Sequence, residues 1–248
     1  MPTFPASPTE KPVSQLWKPN LTRLPPLTWR RRLFRFFIKR LCKLLVFVCL
    51  QFEARGLNNY PSEGAALLVI NHLGDADAVI TLAALPDFPE VIGKIELRDI
   101  WLLRCVTDGL GIIWVHRGQP DRRALSAALE ALRSGRRVII APEGRESLTG
   151  ALEQGTDGAA FLARRAGVSI IPVVLTGTEN WHIFGSLKKF QRARVTLTVG
   201  FPFTINWDEQ GGTTLEQGTQ QIMETLARML PPEYRGEYAD FEMTEASR

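Results

Sequence analysis

Two periods of apolar residues divide this chain. Between Thr28 and Leu50, Leu33, Phe37, Leu41, Leu44 and Val48 recur at steps of four, four, three and four. That spacing lays them along one face of a helix. At about 100° per residue, Arg31, Arg32, Arg35, Lys39 and Lys43 fall on the opposite side. Beyond Gly56, short apolar runs take over at residues 66–70, 91–94, 112–115, 138–141, 170–175 and 195–199. Their length and content predict buried strands. Helical patterns lie between them. The clearest covers 121–134, where Leu125, Leu129 and Leu132 form a stripe ended by Gly135. Residues 156–166 read the same way up to Gly167, and a last helix over 214–230 stops at Pro231-Pro232. The alternation predicts an α/β fold, a mostly parallel central sheet flanked by helices, with an amphipathic helix ahead of it. Pro172 lacks a ladder donor and argues for an edge or wall position for its strand.

Charge changes the reading of the first helix. Arg30, Arg31, Arg32, Arg35, Lys39, Arg40 and Lys43 form a basic run that no acid interrupts, in a chain of net charge +4. A basic face opposite a Phe/Leu face describes a helix lying in an anionic membrane interface. An ordinary helix packing its stripe on a core gives the same spacing. The apolar run 44–50 is far shorter than the roughly 20 residues that span a bilayer. No further basic, aromatic-interleaved surface appears, so no nucleic-acid partner is expected. The 248 residues, 45% hydrophobic, suit one domain with appendages. The division is a Pro-rich disordered segment at 1–26, the membrane-associating helix at 27–52, the main domain at 53–232 and a polar tail at 233–248. Three cysteines with no CxxC or Cys/His cluster support neither a disulfide framework nor zinc, and fit a reducing, cytoplasmic setting. The Pro-rich start carries no signal-peptide pattern.

Chemistry gathers where predicted strands end, as it does in open α/β sheets. Asn71-His72-Leu73-Gly74-Asp75-Ala76-Asp77 follows the run 66–70. His72 and Asp77 stand five residues apart, about 500° on a helix, so they meet only across a turn. A carboxylate fixes the tautomer of a histidine and leaves its other nitrogen as a general base. Asp75, three residues on, is the competing partner. Arg117 surfaces after the run 112–115, where its planar fork suits a phosphate or carboxylate. In Ala141-Pro142-Glu143-Gly144-Arg145-Glu146-Ser147, Gly144 permits close ligand approach and Glu143 can accept from substrate hydroxyls. A polar turn carrying an ion pair is the plainer account of that block.

Together and in this order the blocks resemble the glycerolipid acyltransferase family, which includes the lysophosphatidate acyltransferases. Asn71, His72 and Asp77 match its first motif, and Gly111 through Arg117 its second, preceded by Lys94-Ile95-Glu96-Leu97. Pro142-Glu143-Gly144 match its third, and Ile171-Pro172-Val173 its fourth. The resemblance implies transfer of a fatty acyl group from acyl-CoA or acyl carrier protein to a lysophospholipid hydroxyl, first of all that of 1-acyl-glycerol-3-phosphate, without metal or redox cofactor. Glycerol-3-phosphate or a non-phosphorylated lysolipid is the alternative acceptor. His72 would be the base, Asp77 its orienting carboxylate, and Arg117, helped by Arg145, the holder of the acceptor phosphate. It also implies a peripheral protein on the cytoplasmic face of a membrane. The family's usual Gln-Ser after the histidine is Leu73-Gly74 here. Glu146 stands where a basic residue is usual, which puts the acceptor in question, since an acid repels a phosphate.

Overall fold

The computed structural model describes residues 18–116, 121–207 and 212–240. Its seven strands form one sheet: β1 (Leu50–Arg55), β2 (Ala66–Ile70), β3 (Glu90–Lys94), β4 (Ile113–Val115), β5 (Val138–Ile140), β6 (Ser169–Thr176) and β7 (Ala193–Val199), in the order β1-β7-β6-β2-β5-β3-β4. Every pairing is parallel except β6 with β7. The helices are α1 (Trp29–Cys49), α2 (Ala76–Ala84), α3 (Trp101–Leu110), α4 (Arg122–Arg133), α5 (Gly158–Ala166), α6 (Asn180–Lys188) and α7 (Leu215–Met229). The mostly parallel sheet with helices on its faces agrees with the apolar pattern.

β2 shows why these residues make a central strand. All five are buried, and their side chains alternate between the two faces. Leu67 and Val69 join α4, α5 and α7 in one cluster, while Leu68 and Ile70 join residues of α1 and α2 in the other. Burial on both sides demands an unbroken apolar run, which is what the sequence shows.

Three expectations change. Pro172 belongs to an internal strand, because β6 lies between β7 and β2. Its missing donor falls in a gap on the β7 side, between the Ile170–Phe203 bridge and the ladder that begins at Val173–Val199. The segment ahead of α1 is fixed from Lys18, and Thr22 is buried. At the other end, the amide of Glu237 donates to Leu152 O and Tyr238 is buried, so the polar tail packs on the domain at least to that point.

The first helix also turns out differently on its basic side. Arg35, Cys42 and Val46 are buried against the domain, and Lys39 donates to the carbonyls of Pro86 and Asp87. The side opposite the apolar stripe is therefore the docking side, and only part of its charge reaches solvent. The stripe itself faces outward: Leu33, Phe37, Leu41, Leu44 and Val48 are all exposed, joined by Trp29, Phe36, Leu45 and Phe47. No described helix is long and apolar enough to cross a membrane.

Candidate active site

The chain leaves β2 through Asn71, whose side chain replaces a ladder pair. Its Nδ2 donates to Leu175 O at 2.9 Å and its Oδ1 accepts from the Leu175 amide at 2.8 Å. That anchor on β6 fixes where the next residue points. His72 Nδ1 lies 2.8 Å from Asp77 Oδ2. An ionised carboxylate only accepts, so Nδ1 carries the proton and Nε2 presents its lone pair. The His72 side chain is 34% exposed and that of Asp77 is 1% exposed, so the imidazole reaches solvent while the carboxylate that holds it does not.

Asp77 also builds the turn. The same Oδ2 accepts from the amides of Leu73 at 2.7 Å and Gly74 at 3.0 Å. It sits in the first turn of α2, where the helix end favours negative charge. Gly74 is required by space. A Cβ there would lie 2.5 Å from Thr178 O, in the loop that leads to α6. Asp75 is not the orienting residue, since it faces α6 through Asn180.

The third block braces this turn. Glu143 is buried, and it accepts from the His72 amide on Oε1 at 3.0 Å and from the Glu153 amide on Oε2 at 2.9 Å. Its carboxylate thus reaches His72 through the backbone, a use that the sequence reading did not give it. Burial pushes its pKa up to about 7 against those two hydrogen bonds. Gly144 adopts a left-handed φ of 74°, where a side chain would be strained. Arg145 is engaged by Glu153, with Nε at 2.7 Å from Oε2, so it is not a loose cation waiting for a phosphate. The amide of Ser147 donates to His72 O at 2.7 Å.

Glu146 lies near His72, on the side we term the mouth of the site. It accepts from Asn180 Nδ2 at 2.7 Å, and Asn180 in turn holds the Asp75 amide. Burial and the nearby Asp75 raise its pKa. Partial burial lowers the pKa of His72, but the hydrogen bond and charge of Asp77, followed by Glu146 and Glu143, outweigh it and leave the net shift upward. Asn180 escaped the sequence reading because it stands 105 positions from Asp75 on the last helix before β7, with no local signal.

A second His-x4-Asp pair tests how much the spacing means. His116 Nδ1 lies 2.9 Å from Asp121 Oδ2, and both are nearly fully buried. Here the other ring nitrogen, Nε2, accepts from the Lys18 amide at 3.0 Å. The same spacing gives a buried latch in one place and a partly exposed imidazole in the other. Exposure, and an Nε2 without a hydrogen bond among the described residues, distinguish His72 from His116. Arg117, the expected phosphate holder, lies outside the described residues.

Comparison with known proteins identifies the family. Residues 51–176 match the family model described as Acyltransferase. A chloroplastic 1-acyl-sn-glycerol-3-phosphate acyltransferase of Arabidopsis thaliana is 28% identical over 153 residues, 60% of this chain and 43% of that protein. A lyso-ornithine lipid O-acyltransferase of Pseudomonas aeruginosa is 30% identical over 148 residues, 59% of this chain and 54% of that protein. The chain thus spans about half the length of these curated relatives. The crystal structure of the 1-acyl-sn-glycerophosphate acyltransferase PlsC from Thermotoga maritima shares the fold, with a TM-score of 0.59 and 22% identity over 82% of this chain and 83% of that one. The matched segment runs from β1 through β6 and takes in both the His72 turn and the Glu143 brace, and on that match the chain belongs to the acyltransferase family.

Proposed function

We propose that this protein moves a fatty acyl group from a thioester, acyl-CoA or acyl carrier protein, to the free hydroxyl of a membrane lysophospholipid. The acceptor that the relatives' names favour is 1-acyl-glycerol-3-phosphate, giving phosphatidate. One observation carries the reading: an exposed imidazole whose Nδ1 is held by a buried carboxylate while Nε2 stays open. Nε2 takes the proton of the acceptor hydroxyl as its oxygen attacks the thioester carbonyl. Asp77 stabilises the imidazolium that forms. The C–S bond then breaks, and the departing thiolate receives the proton, giving the ester and a free thiol. The step as written uses no metal or redox cofactor.

The outward apolar stripe of α1 supports attachment to an anionic membrane surface, where such an acceptor resides. We place the protein peripherally, on the cytoplasmic face. Point variants on the stripe test this better than deletion of the helix, because α1 supplies Cys42 and Val46 to the core.

A second reading keeps the chemistry and changes the acceptor. Glu146 and Asp75 place two acids near His72, with Lys94 as the cation near Glu146, and Arg145 is committed to Glu153. A non-phosphorylated lysolipid meets less repulsion there than a phosphomonoester does, and one relative is named for such an acceptor. Mass spectrometry of products from mixed acyl-CoA and a lysolipid panel that includes lysophosphatidate decides between them.

One expected result follows from the site and another from the motif that carries Arg117. Only neutral His72 can take a proton, so kcat/KM rises with pH through a titration above the ordinary imidazole value. Glu146→Gln removes a nearby negative charge, destabilises the imidazolium and moves this acid limb to lower pH. An unmoved limb would exclude Glu146 from the field at the base. Arg117→Ala is expected to lower kcat/KM for lysophosphatidate by about tenfold to a hundredfold, since a charged hydrogen bond is worth roughly 1.5–3 kcal/mol. Lysine restores only part, because a point charge lacks the fork. Unchanged kinetics with lysophosphatidate would favour the non-phosphorylated acceptor.

A further inference from the structure

We infer that α6 and the turn after it form a second lipid-contacting element, seated beside the mouth of the site and separate from α1. The first observation is Phe190. The amide of Gln191 donates to Ser186 O and that of Phe190 to Leu187 O, each at 3.0 Å. This pattern closes a helix with its C′ residue in the left-handed region, a position that glycine usually fills. Here it is phenylalanine at φ 56°, fully exposed. In water the residue bears backbone strain and leaves a ring unburied, and glycine would relieve both.

The surroundings identify what covers the ring. Trp181, Phe184 and Leu187, three residues apart along α6, are also exposed, while Ile183 packs inward. Lys188, Lys189 and Arg192 flank Phe190, and no acidic residue occurs from Asn180 through Trp207. Aromatic and leucine side chains bordered by cations suit the headgroup boundary of an anionic bilayer. A protein partner would not need so uniform a charge.

Topology puts this element on the same side as the proposed membrane helix. β6 runs parallel to β2, so α6 leaves the sheet at the end where His72 lies. β7 returns antiparallel to β6, and Ala193 at its start pairs with Leu50 at the start of β1. The C-terminal end of α1 therefore reaches that end of the sheet too. Arg192 joins them: its guanidinium donates to the carbonyls of Phe47, at 2.7 Å, and Leu50, and lies 5.9 Å from the Phe47 ring centroid. At its other end α6 begins with Asn180, bonded to Glu146 and the Asp75 amide. The bilayer contact and the acceptor mouth are thus linked through one short helix. The inference goes beyond the proposed function, which needs only α1 at the membrane.

The test is binding of the full chain to phosphatidylcholine vesicles containing phosphatidylglycerol, measured by cosedimentation, with thermal unfolding in parallel. Phe190→Gly should unfold at the same or a higher temperature, because strain is relieved, yet partition about tenfold more weakly, the effect of withdrawing one aromatic side chain from an apolar phase. Trp181→Ser with Phe184→Ser should weaken it at least as much. Lys188→Gln with Lys189→Gln should weaken it at low salt and little at high salt. A parallel Phe37→Ser, Leu44→Ser variant separates the two elements. If that variant loses binding while every α6 variant partitions like the unaltered protein, the inference is overturned and the α1 reading stands. If the α6 variants lose binding, the inference holds whatever α1 does.

Discussion

His72→Ala should lower kcat/KM on the order of 10²–10⁴-fold with little change in unfolding temperature. The range is that of a lost general base. Stability should hold because the ring is partly exposed and its only hydrogen bond among the described residues is to Asp77. Asp77→Asn separates geometry from charge. If its amide oxygen faces the turn, it can still accept from Leu73 and Gly74, but it no longer stabilises an imidazolium. If its NH₂ faces Nδ1, it imposes the wrong tautomer. Either way the rate falls steeply, and some stability goes with it, because Asp77 is buried and closes the turn. Asp75→Asn should be nearly silent in rate. A damaging Asp75→Asn beside a harmless Asp77→Asn would sink this assignment. The measurements are initial rates with a fixed thioester donor, and urea unfolding of each variant.

How much of this was readable beforehand depended on how local the cause was. β2, β3, β5, β6 and α4 lay close to their expected bounds because burial on both faces, or a stripe ended by Gly135, writes itself into consecutive residues. β1 was missed. Leu50-Gln51-Phe52-Glu53-Ala54-Arg55 has only short apolar content, and it becomes a strand by pairing with β7 from the far end of the chain. α2, α3 and α6, each nine or ten residues long, were missed as well.

In the site, the His72–Asp77 partnership was legible from spacing and strand-end position. Its equally spaced twin, His116–Asp121, shows that spacing was not sufficient. What decides between them is the distant amide of Lys18, which closes one ring nitrogen and leaves the other pair open. Glu143 was found by its block and given a different task, because only the fold reveals that both of its oxygens meet amides.

Arg35 is the case in which sequence pattern and structure part most, and it supports the second large effect. By period it belongs with the basic face of α1. In the fold it is buried, with Nη1 and Nη2 on the two oxygens of Glu90 at 3.0 and 2.6 Å and Nε on Leu110 O at 2.8 Å. Arg136 adds a longer contact to Glu90 at 3.4 Å. Nothing local marks Arg35 among its neighbours, since its partner enters from β3. Glu90→Ala leaves a guanidinium buried without its counter-charge, and breaking such a pair typically costs about 3–5 kcal/mol. For a chain of this size each kcal/mol lowers Tm by about 2–4 °C, so a drop on the order of 10 °C is expected. Removing both charges should behave differently. Arg35→Met with Glu90→Leu replaces the pair by apolar groups of similar bulk, an exchange that is often neutral or stabilising. Thermal unfolding of the two variants checks this, with vesicle binding as a second readout, because α1 is docked through Arg35. If Glu90→Ala unfolds like the unaltered protein, the ion pair does not hold the helix. Docking would then rest on the other contacts of α1, among them Cys42, Val46, the Lys39 bonds and the Arg192–Phe47 bond.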